Sequence, residues 1–113
     1  MFEKKMRLDA LYEFYGKMLT DKQNEIMDLY CNMDYSLGEI SEVHSISRQA
    51  VHDTIKRTEK VLEHYEEQLG LYERFTDKQK AFEKILECIN AYESTRSYEL
   101  IDTIKKIVLT EIE

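Results

Sequence analysis

Polar side chains clustered in residues 47–60 have the types and spacing needed to contact nucleic acid. Arg48 and Gln49 can each make paired hydrogen bonds to a base edge in the major groove, arginine to guanine and glutamine to adenine. The basic side chains that follow them are suited to phosphate oxygens, which fix a protein on the duplex without reading its sequence. The candidate DNA-contacting residues are therefore Ser47, Arg48, Gln49, His52, Asp53, Lys56, Arg57 and Lys60.

These side chains can act together only if a helix presents them, and two capping signals predict such a helix. Ser36 and Glu39 form a capping box, in which the serine oxygen accepts from a free helix amide and the glutamate reaches back. A second N-cap follows at Ser47, after the helical pattern breaks at residues 44–46. A short helix, a tight turn and a longer helix are the elements of a helix-turn-helix.

Apolar spacing gives each of these helices a buried side. Val51 and Ile55 face inward on the second helix, so the candidate contact residues face outward. Ser41 and Ser45 stand where many helix-turn-helix proteins have alanine and glycine, which makes the turn less predictable than the helices. The first helix is predicted to bury Leu37, Ile40 and Val43.

The same outward face is compatible with a second use. A helix-turn-helix can serve as a protein-binding module, because a fold alone does not settle a function. Asp53 and Glu59 favour that interpretation, since their carboxylates repel the phosphates of DNA. The residues by themselves leave DNA contact and protein contact both open.

Catalytic and metal-binding patterns are not found in the sequence. His44, His52 and His64 include no pair at the i, i+4 spacing that aims two imidazoles at one metal, and no cysteine accompanies them. Serine, histidine and aspartate occur without a nucleophile elbow, and there is no glycine-rich phosphate loop. We therefore expect a protein that is not an enzyme and that has no metal site and no cofactor.

Composition points to an all-α protein that lies in the cytoplasm. The 113 residues contain no proline and only three glycines, so few positions interrupt long helices. The formal charge of −7 argues against indiscriminate coating of nucleic acid, which depends on neutralising phosphates. Cys31 and Cys88 are isolated and read as reduced thiols, and no apolar segment is long enough to insert in a membrane.

Two helices are expected before the helix-turn-helix. Apolar residues at helical spacing predict one from Lys4 to Leu19, and Thr20 with Gln23 forms a capping box that opens another. With the long helix that follows Ser47, these elements make up a predicted domain of residues 1–72.

The helical pattern that begins at Ser47 runs on to Tyr72, while Gly70 and the polar cluster near Thr76 favour a bend or a stop; one glycine costs a helix only about 1 kcal/mol, so both outcomes stay open. A continuous helix of that length spans about 38 Å, more than a recognition helix needs, so its distal half requires another partner. Its apolar residues alternate in steps of four and three, as in a coiled-coil seam. Either a homodimer or the chain's own helices can cover this seam, whose distal residues are Leu62, Tyr65, Leu69 and Tyr72.

Residues 73–113 are predicted to form a C-terminal helical arm, part of the same globular unit. Thr76 and Gln79 repeat the capping box seen at Thr20 and are expected to open a helix, and Ser97 can cap the last one. Both helices have an apolar face that must be covered, either by their own domain or by a second subunit. Those faces comprise Phe82, Ile85, Leu86, Ile89 and Tyr92 on one helix and Ile101, Ile104, Ile107, Val108 and Ile112 on the other.

Three segments of the chain resemble the YlxM-like proteins of Gram-positive bacteria. They are residues 19–23 (Leu-Thr-Asp-Lys-Gln), residues 35–40 (Tyr-Ser-Leu-Gly-Glu-Ile) and residues 47–60. The resemblance is most specific over roughly residues 8–72. It implies a helix-turn-helix of the winged-helix-like superfamily, similar to the promoter-reading region 4 of sigma factors, and a link through gene neighbourhood to the signal recognition particle pathway.

Two functional hypotheses follow from the residues and the resemblance. The first is a small, dimeric DNA-binding regulatory protein that contacts DNA through Arg48, Gln49, His52 and Lys56, with Arg57 and Lys60 toward the backbone. The second is an adaptor that binds the GTPase or the RNA of the signal recognition particle without reading a DNA sequence. A sigma factor is excluded by length, because the chain has no room for a domain that melts DNA.

Overall fold

A computed structural model describes residues 2–113, and this part of the chain contains helices and no strand. A 3₁₀ turn, Gly16–Met18, follows the first helix, and a π-helical turn, Asp28–Asn32, follows the second. The predicted all-α class is confirmed. The six α-helices are α1 (Phe2–Tyr15), α2 (Asp21–Met27), α3 (Leu37–His44), α4 (Arg48–Leu69), α5 (Leu71–Thr95) and α6 (Tyr98–Ile112).

The chain divides into two compact units, of which the first ends at Tyr72 and the second is Glu73–Glu113. In the first unit α4 is the central element, because α1, α2 and α3 all pack against it. Burial of a large apolar side chain contributes about 1.5–3 kcal/mol, so this core holds the helix-turn-helix in place. The core residues are Leu8, Leu11, Tyr12, Tyr15, Ile26, Met27, Ile40, Val51, Ile55 and Leu62.

Both capping boxes of the first unit form as predicted. The Gln23 amide donates to the Thr20 hydroxyl at 3.2 Å, and the Thr20 amide donates to the Gln23 side chain at 3.2 Å. The second box has the corresponding bonds between Glu39 and Ser36, at 3.1 and 3.0 Å. Hydrogen bonds from Ser36, its backbone amide first, lower the pKa of the Glu39 carboxyl. Helices α2 and α3 therefore begin where local chemistry dictates.

Two details of these early helices differ from the prediction. Helix α1 ends at Tyr15 and not at Leu19, because the chain tightens into the 3₁₀ turn Gly16–Met18. Gly16 has no room for a side chain, since an added Cβ would lie 2.8 Å from the Tyr12 ring. Val43, predicted to be buried, is 59% exposed. Since α3 has only eight residues, it buries one full side chain, Ile40.

Helix α4 ends at Leu69, so the continuous helix to Tyr72 is wrong and the stop expected at Gly70 is confirmed. Gly70 adopts a left-handed conformation with φ 62°, and its amide donates to the Glu66 carbonyl at 2.8 Å. Glycine adopts this conformation without the steric cost that other residues meet, and it commonly ends helices in this way. Of the predicted seam, Val51, Ile55, Thr58 and Leu62 are buried within the first unit itself.

A buried polar cluster ties α1 to the start of α5. The Tyr15 hydroxyl donates to the Glu66 carboxylate, and it accepts from the Leu71 amide at 3.0 Å. The same Glu66 oxygen accepts from the Tyr72 amide at 3.0 Å. Burial, together with the Glu66 carboxylate, raises the pKa of the Tyr15 hydroxyl. Two first-turn amides of α5, which have no partner within their helix, are satisfied by this cluster.

The second unit is an antiparallel hairpin of α5 and α6. The Tyr92 and Tyr98 rings lie 6.5 Å apart near the turn, and Lys78 and Glu111 approach to 3.9 Å at the other end. Arg96 makes the turn with φ 57°, and Ser97 occupies the N-cap position of α6 without a capping side-chain bond.

The predicted helix start at Thr76 is wrong, because Thr76 lies inside α5. An N-cap residue must have an extended backbone, and the chain is already helical from Leu71. Threonine and aspartate cost only a few tenths of a kcal/mol inside a helix, so the Thr-Asp-Lys-Gln segment is accommodated there.

Candidate nucleic-acid interface

The turn between α3 and α4 is fixed by a left-handed residue and by one serine side chain. Ser45 has φ 54° and ψ 42°, the conformation that glycine supplies in many such turns. The Ser41 hydroxyl donates to the Ile46 carbonyl, and the Ile46 amide donates to the Ser41 carbonyl at 3.2 Å. The two serines therefore close the turn in place of alanine and glycine.

Helix α4 begins at a capped and exposed end. Ser47 has an extended backbone, and its hydroxyl accepts from the Ala50 amide at 3.0 Å. Val51 and Ile55 are buried, as predicted, and they hold the helix by its inner side. The positive end of the helix dipole and its first-turn amides lie at this end.

The predicted contact residues all lie on the exposed side of α4. None of them is needed for the core, because the inner side is filled by apolar residues and Thr58. The structure thus brings together on one surface Ser47, Arg48, Gln49, His52, Asp53, Lys56, Arg57 and Lys60, every one of which is exposed.

Arg48 extends back from α4 across the first turn of α3. A Cβ added at Gly38 would lie 3.0 Å from Arg48 Nη2 and 3.1 Å from its Nε. An alanine at position 38 would therefore require the guanidinium to shift by a few tenths of an ångström. Sequence reasoning missed this role of Gly38, because nothing local to α3 indicates which side chain will lie over it.

Asp53 connects two neighbouring contact residues. The Gln49 side-chain amide donates to Asp53 Oδ1 at 2.9 Å, and His52 Nδ1 lies 3.4 Å from the same oxygen. These two hydrogen bonds lower the pKa of the Asp53 carboxyl, the bond from Gln49 contributing most. The cluster restrains the Gln49 amide and also places a negative charge in the middle of the surface.

The cations farther along α4 are solvated, with weak local partners. Lys56 Nζ lies 3.8 Å from a Glu59 oxygen, and an Arg57 nitrogen donates to the Thr54 hydroxyl at 3.4 Å. Ion pairs of this exposed kind contribute roughly 0–1 kcal/mol and exchange easily for another anion. A phosphate oxygen can replace either partner.

A cleft of about 260 Å³ adds two cations that the sequence did not assign to the surface. It brings Lys4 and Lys5 of α1 beside His52 and Lys56 of α4. Lys5 is anchored, because its ammonium donates to Asp9 at 2.8 Å and to the Tyr30 carbonyl at 3.0 Å. The separation of α1 and α4 in sequence leaves no local signal that could have predicted this meeting.

The residues predicted to form a dimer seam are not gathered on one free surface. Leu62 is fully buried, while Tyr65 and Tyr72 are half-buried against the aromatic side chains of α1. Their rings lie 6.0 Å from Tyr15 and 6.1 Å from Phe14, respectively. Most of this seam is therefore covered inside the first unit.

Residues 2–113 contain neither a metal-binding cluster nor a membrane-spanning helix. No group of three or more His, Cys, Asp or Glu side chains there is arranged to hold a metal ion. Among the helices of the same residues, none is both long and apolar enough to cross a membrane.

Comparison with known proteins relates most of the chain to one family. A family model described as "Putative helix-turn-helix protein, YlxM / p13 like", UPF0122, matches residues 2–108. A UPF0122 protein of Caldanaerobacter subterraneus subsp. tengcongensis is 56% identical over 82 residues, which cover 73% of this chain and 70% of the relative. A UPF0122 protein of Bacillus licheniformis is 45% identical over 105 residues, 93% of this chain and 96% of the relative.

Proposed function

The chain belongs to the UPF0122 family of YlxM/p13-like helix-turn-helix proteins, and on that premise we propose that it binds DNA through α4 in a regulatory role. The observation that carries the proposal is the capped start of α4, where Arg48 and Gln49 are exposed on a helix whose inner side is locked into the core. The N-terminal residues of a recognition helix are those that contact base edges in the major groove.

The proposed contacts divide into base reading and phosphate binding. Arg48 and Gln49 read bases, with His52 beside them, while Lys56, Arg57 and Lys60 hold the backbone. Asp53 lies among them and accepts from a cytosine amino group, or orients Gln49 through the bond at 2.9 Å. Since the whole chain carries −7, DNA binding is confined to this surface.

We propose that the protein acts as a homodimer in the cytoplasm. It regulates by binding and not by catalysis. A symmetric dimer recognises two half-sites about 34 Å apart, one turn of the double helix. Because most of the seam on α4 is covered within the first unit, we propose that the two copies meet elsewhere on the chain.

A pair of substitutions separates base reading from phosphate binding. Gln49→Ala is expected to reduce discrimination between the specific site and random DNA by about 1–3 kcal/mol. Lys60→Ala is expected to weaken all sequences alike and to reduce the salt dependence of binding by about one counterion. Fluorescence anisotropy with specific and random duplexes at several salt concentrations measures both effects. If both variants lost the same affinity for both duplexes, the division into base-reading and phosphate-binding residues would be contradicted.

A second function is supported by charge. The chain is acidic, and Asp53 and Glu59 lie on the same side of α4 as the cations, which suits a protein partner better than a polyanion. The resemblance to YlxM-like proteins suggests as partner the signal recognition particle, through its GTPase or its RNA. In this form the helix-turn-helix serves as an adaptor.

Capture on the purified particle distinguishes the two functions. Arg48→Ala combined with Gln49→Ala removes the proposed base-reading groups without touching the core. Retained capture by this double variant, together with the absence of a preferred DNA site for the wild type, favours the adaptor. The DNA-binding regulator is favoured if the double variant loses DNA binding and if neither the wild type nor the variant is captured by the particle.

A further inference from the structure

Helix α5 carries an apolar stripe that its own hairpin does not cover. Phe82, Leu86 and Ile89 follow one another at i, i+4 and i+7 and share one side of the helix. Their exposed fractions are 63%, 57% and 41%. Cys88, on another side of the same helix, is buried.

Helix α6 continues this stripe across the hairpin. Val108 and Ile112 are 40% and 74% exposed. With Phe82 and Ile85 they line an apolar groove of about 240 Å³ between the two helices. Phe82, Leu86, Ile89, Val108 and Ile112 therefore form one surface, which we call the hairpin face.

The hairpin face exposes more contiguous apolar area than isolated surface residues would. With about 200 Å² for each large apolar side chain, its exposed fractions amount to on the order of 500 Å². The largest apolar patch on a typical monomer is about 300–600 Å² and is often functional. A stable protein interface needs about 800 Å² from each partner, of which roughly 60% is apolar. The hairpin face supplies that apolar share.

From these observations we infer that the hairpin face pairs with the same face of a second copy of this chain. Two hairpins placed face to face make a four-helix bundle whose core is formed by the two stripes. Charges around the groove have both signs, as in the pair of Lys78 with Glu111, so like charges do not dominate when two copies meet. This inference names the surface through which the proposed homodimer forms. It rests on the proposed function only for the role of the dimer, which is to present two copies of α4 to DNA.

Sedimentation equilibrium of the full chain, without DNA, tests the pairing. The wild type is expected at about twice the 13.6 kDa of one chain at micromolar concentration. Leu86→Glu places a carboxylate in the bundle core and is expected to raise the dimer dissociation constant about 30-fold or more, as loss of a central interface anchor does. Ile112→Glu changes the last residue of α6, where it cannot interrupt the helix, and is expected to act in the same direction.

Met33→Glu is the matched control. Met33 is 57% exposed, the same fraction as Leu86, but lies in the first unit. This variant is expected to stay at twice the mass of one chain, and circular dichroism of all variants is expected to match the wild type.

Two results of the sedimentation experiment would overturn the inference. A wild type that sediments as one chain at every concentration overturns the inference, whether its hairpin face is covered by the first unit or by another protein. A Leu86→Glu or Ile112→Glu protein that keeps the helix content and the mass of the wild type also overturns it. Because no DNA is present, neither result bears on whether α4 binds DNA.

Discussion

Gly38 and Arg48 show how a residue outside the contact surface can position one within it. The space above Gly38 holds the guanidinium, whose nitrogens would lie 3.0–3.1 Å from an added Cβ. Because the obstructing atoms are the far end of a flexible side chain, a methyl group there displaces Arg48 at little cost to the fold. The position of Arg48 and the stability of the first unit can therefore be separated by experiment.

Gly38→Ala is expected to weaken binding to the specific DNA site while leaving stability unchanged or higher. Alanine favours a helix over glycine by up to about 1 kcal/mol, whereas a displaced Arg48 forfeits part of a contact that is worth about 1–3 kcal/mol. Anisotropy gives the affinity and urea denaturation gives the free energy of unfolding. Val43→Ala, at an exposed position of the same helix, is the control and should bind as the wild type does. Unchanged affinity for Gly38→Ala would show that Arg48 needs no positioning.

Asp53 limits how tightly the proposed DNA-contact surface can bind phosphate. Its carboxylate accepts from Gln49 and His52, and these bonds lower its pKa, so it stays ionised at every pH above its ordinary value of 3.8. Repulsion of phosphate by this group consequently persists across the physiological range and is relieved only in acid.

Asp53→Asn is expected to raise affinity for random duplexes several-fold, because it removes a negative charge from the contact surface. The gain should shrink as salt is added, since exposed charges are screened within about 10 Å at 0.1 M. Titrations at two salt concentrations measure it. Glu67→Gln, an exposed charge removal on the distal part of α4, is the control. An equal gain for both variants would mean that net charge alone is responsible.

Among the elements, the starts of helices are better encoded locally than their ends. Thr20, Ser36 and Ser47 cap helices as predicted, because a cap needs only the residue itself and a partner three positions on. Thr76 has the same local signal and is not a cap, since the helix has already begun at Leu71. The local sequence indicates which residues can act as N-caps. Whether one of them does so depends on whether the preceding helix has ended before it.

The break itself depends on contacts that sequence patterns do not reveal. One glycine in a helix costs only about 1 kcal/mol, so Gly70 alone did not decide between a stop and a continuous helix. The structure places the Leu71 amide on the Tyr15 hydroxyl and the Tyr72 amide on Glu66. Tyr15 and Glu66 are 51 positions apart, a pairing without periodicity or motif.

Tyr15→Phe tests whether this cluster stabilises the first unit around residues 66–72. The substitution removes one buried hydroxyl that both donates and accepts, so it is expected to cost about 1–3 kcal/mol of unfolding free energy. Urea denaturation followed by circular dichroism measures the loss. Tyr98→Phe removes a hydroxyl from a side chain that is 78% exposed and should stay within about 0.5 kcal/mol of the wild type. Equal stability of the two variants would show that the cluster contributes little.

For the whole molecule, the sequence predicted which residues lie on the exposed side of α4 but not what surrounds them. Periodicity sufficed for the exposed side of α4, since Val51 and Ile55 fix its inner side. The approach of Lys4 and Lys5 from α1 depends on how helices pack, and no pattern within one helix carries that information.

Charge sets the scale of what this molecule can bind. With −7 over the chain and only four basic side chains along α4, affinity for DNA must come from a few contacts in one place. Non-specific binding should accordingly be weak at physiological salt, where each neutralised phosphate contributes about one unit to the salt slope.

The most direct test of the account is selection of duplexes from a random DNA pool by the purified full chain at low salt, followed by sequencing. We predict enrichment of a short motif that is present with the wild type and lost or relaxed at defined positions with Gln49→Ala. A folded wild-type protein that enriches no motif, or a motif that is unaltered by Gln49→Ala and by Arg48→Ala, would contradict the proposal that the start of α4 reads DNA.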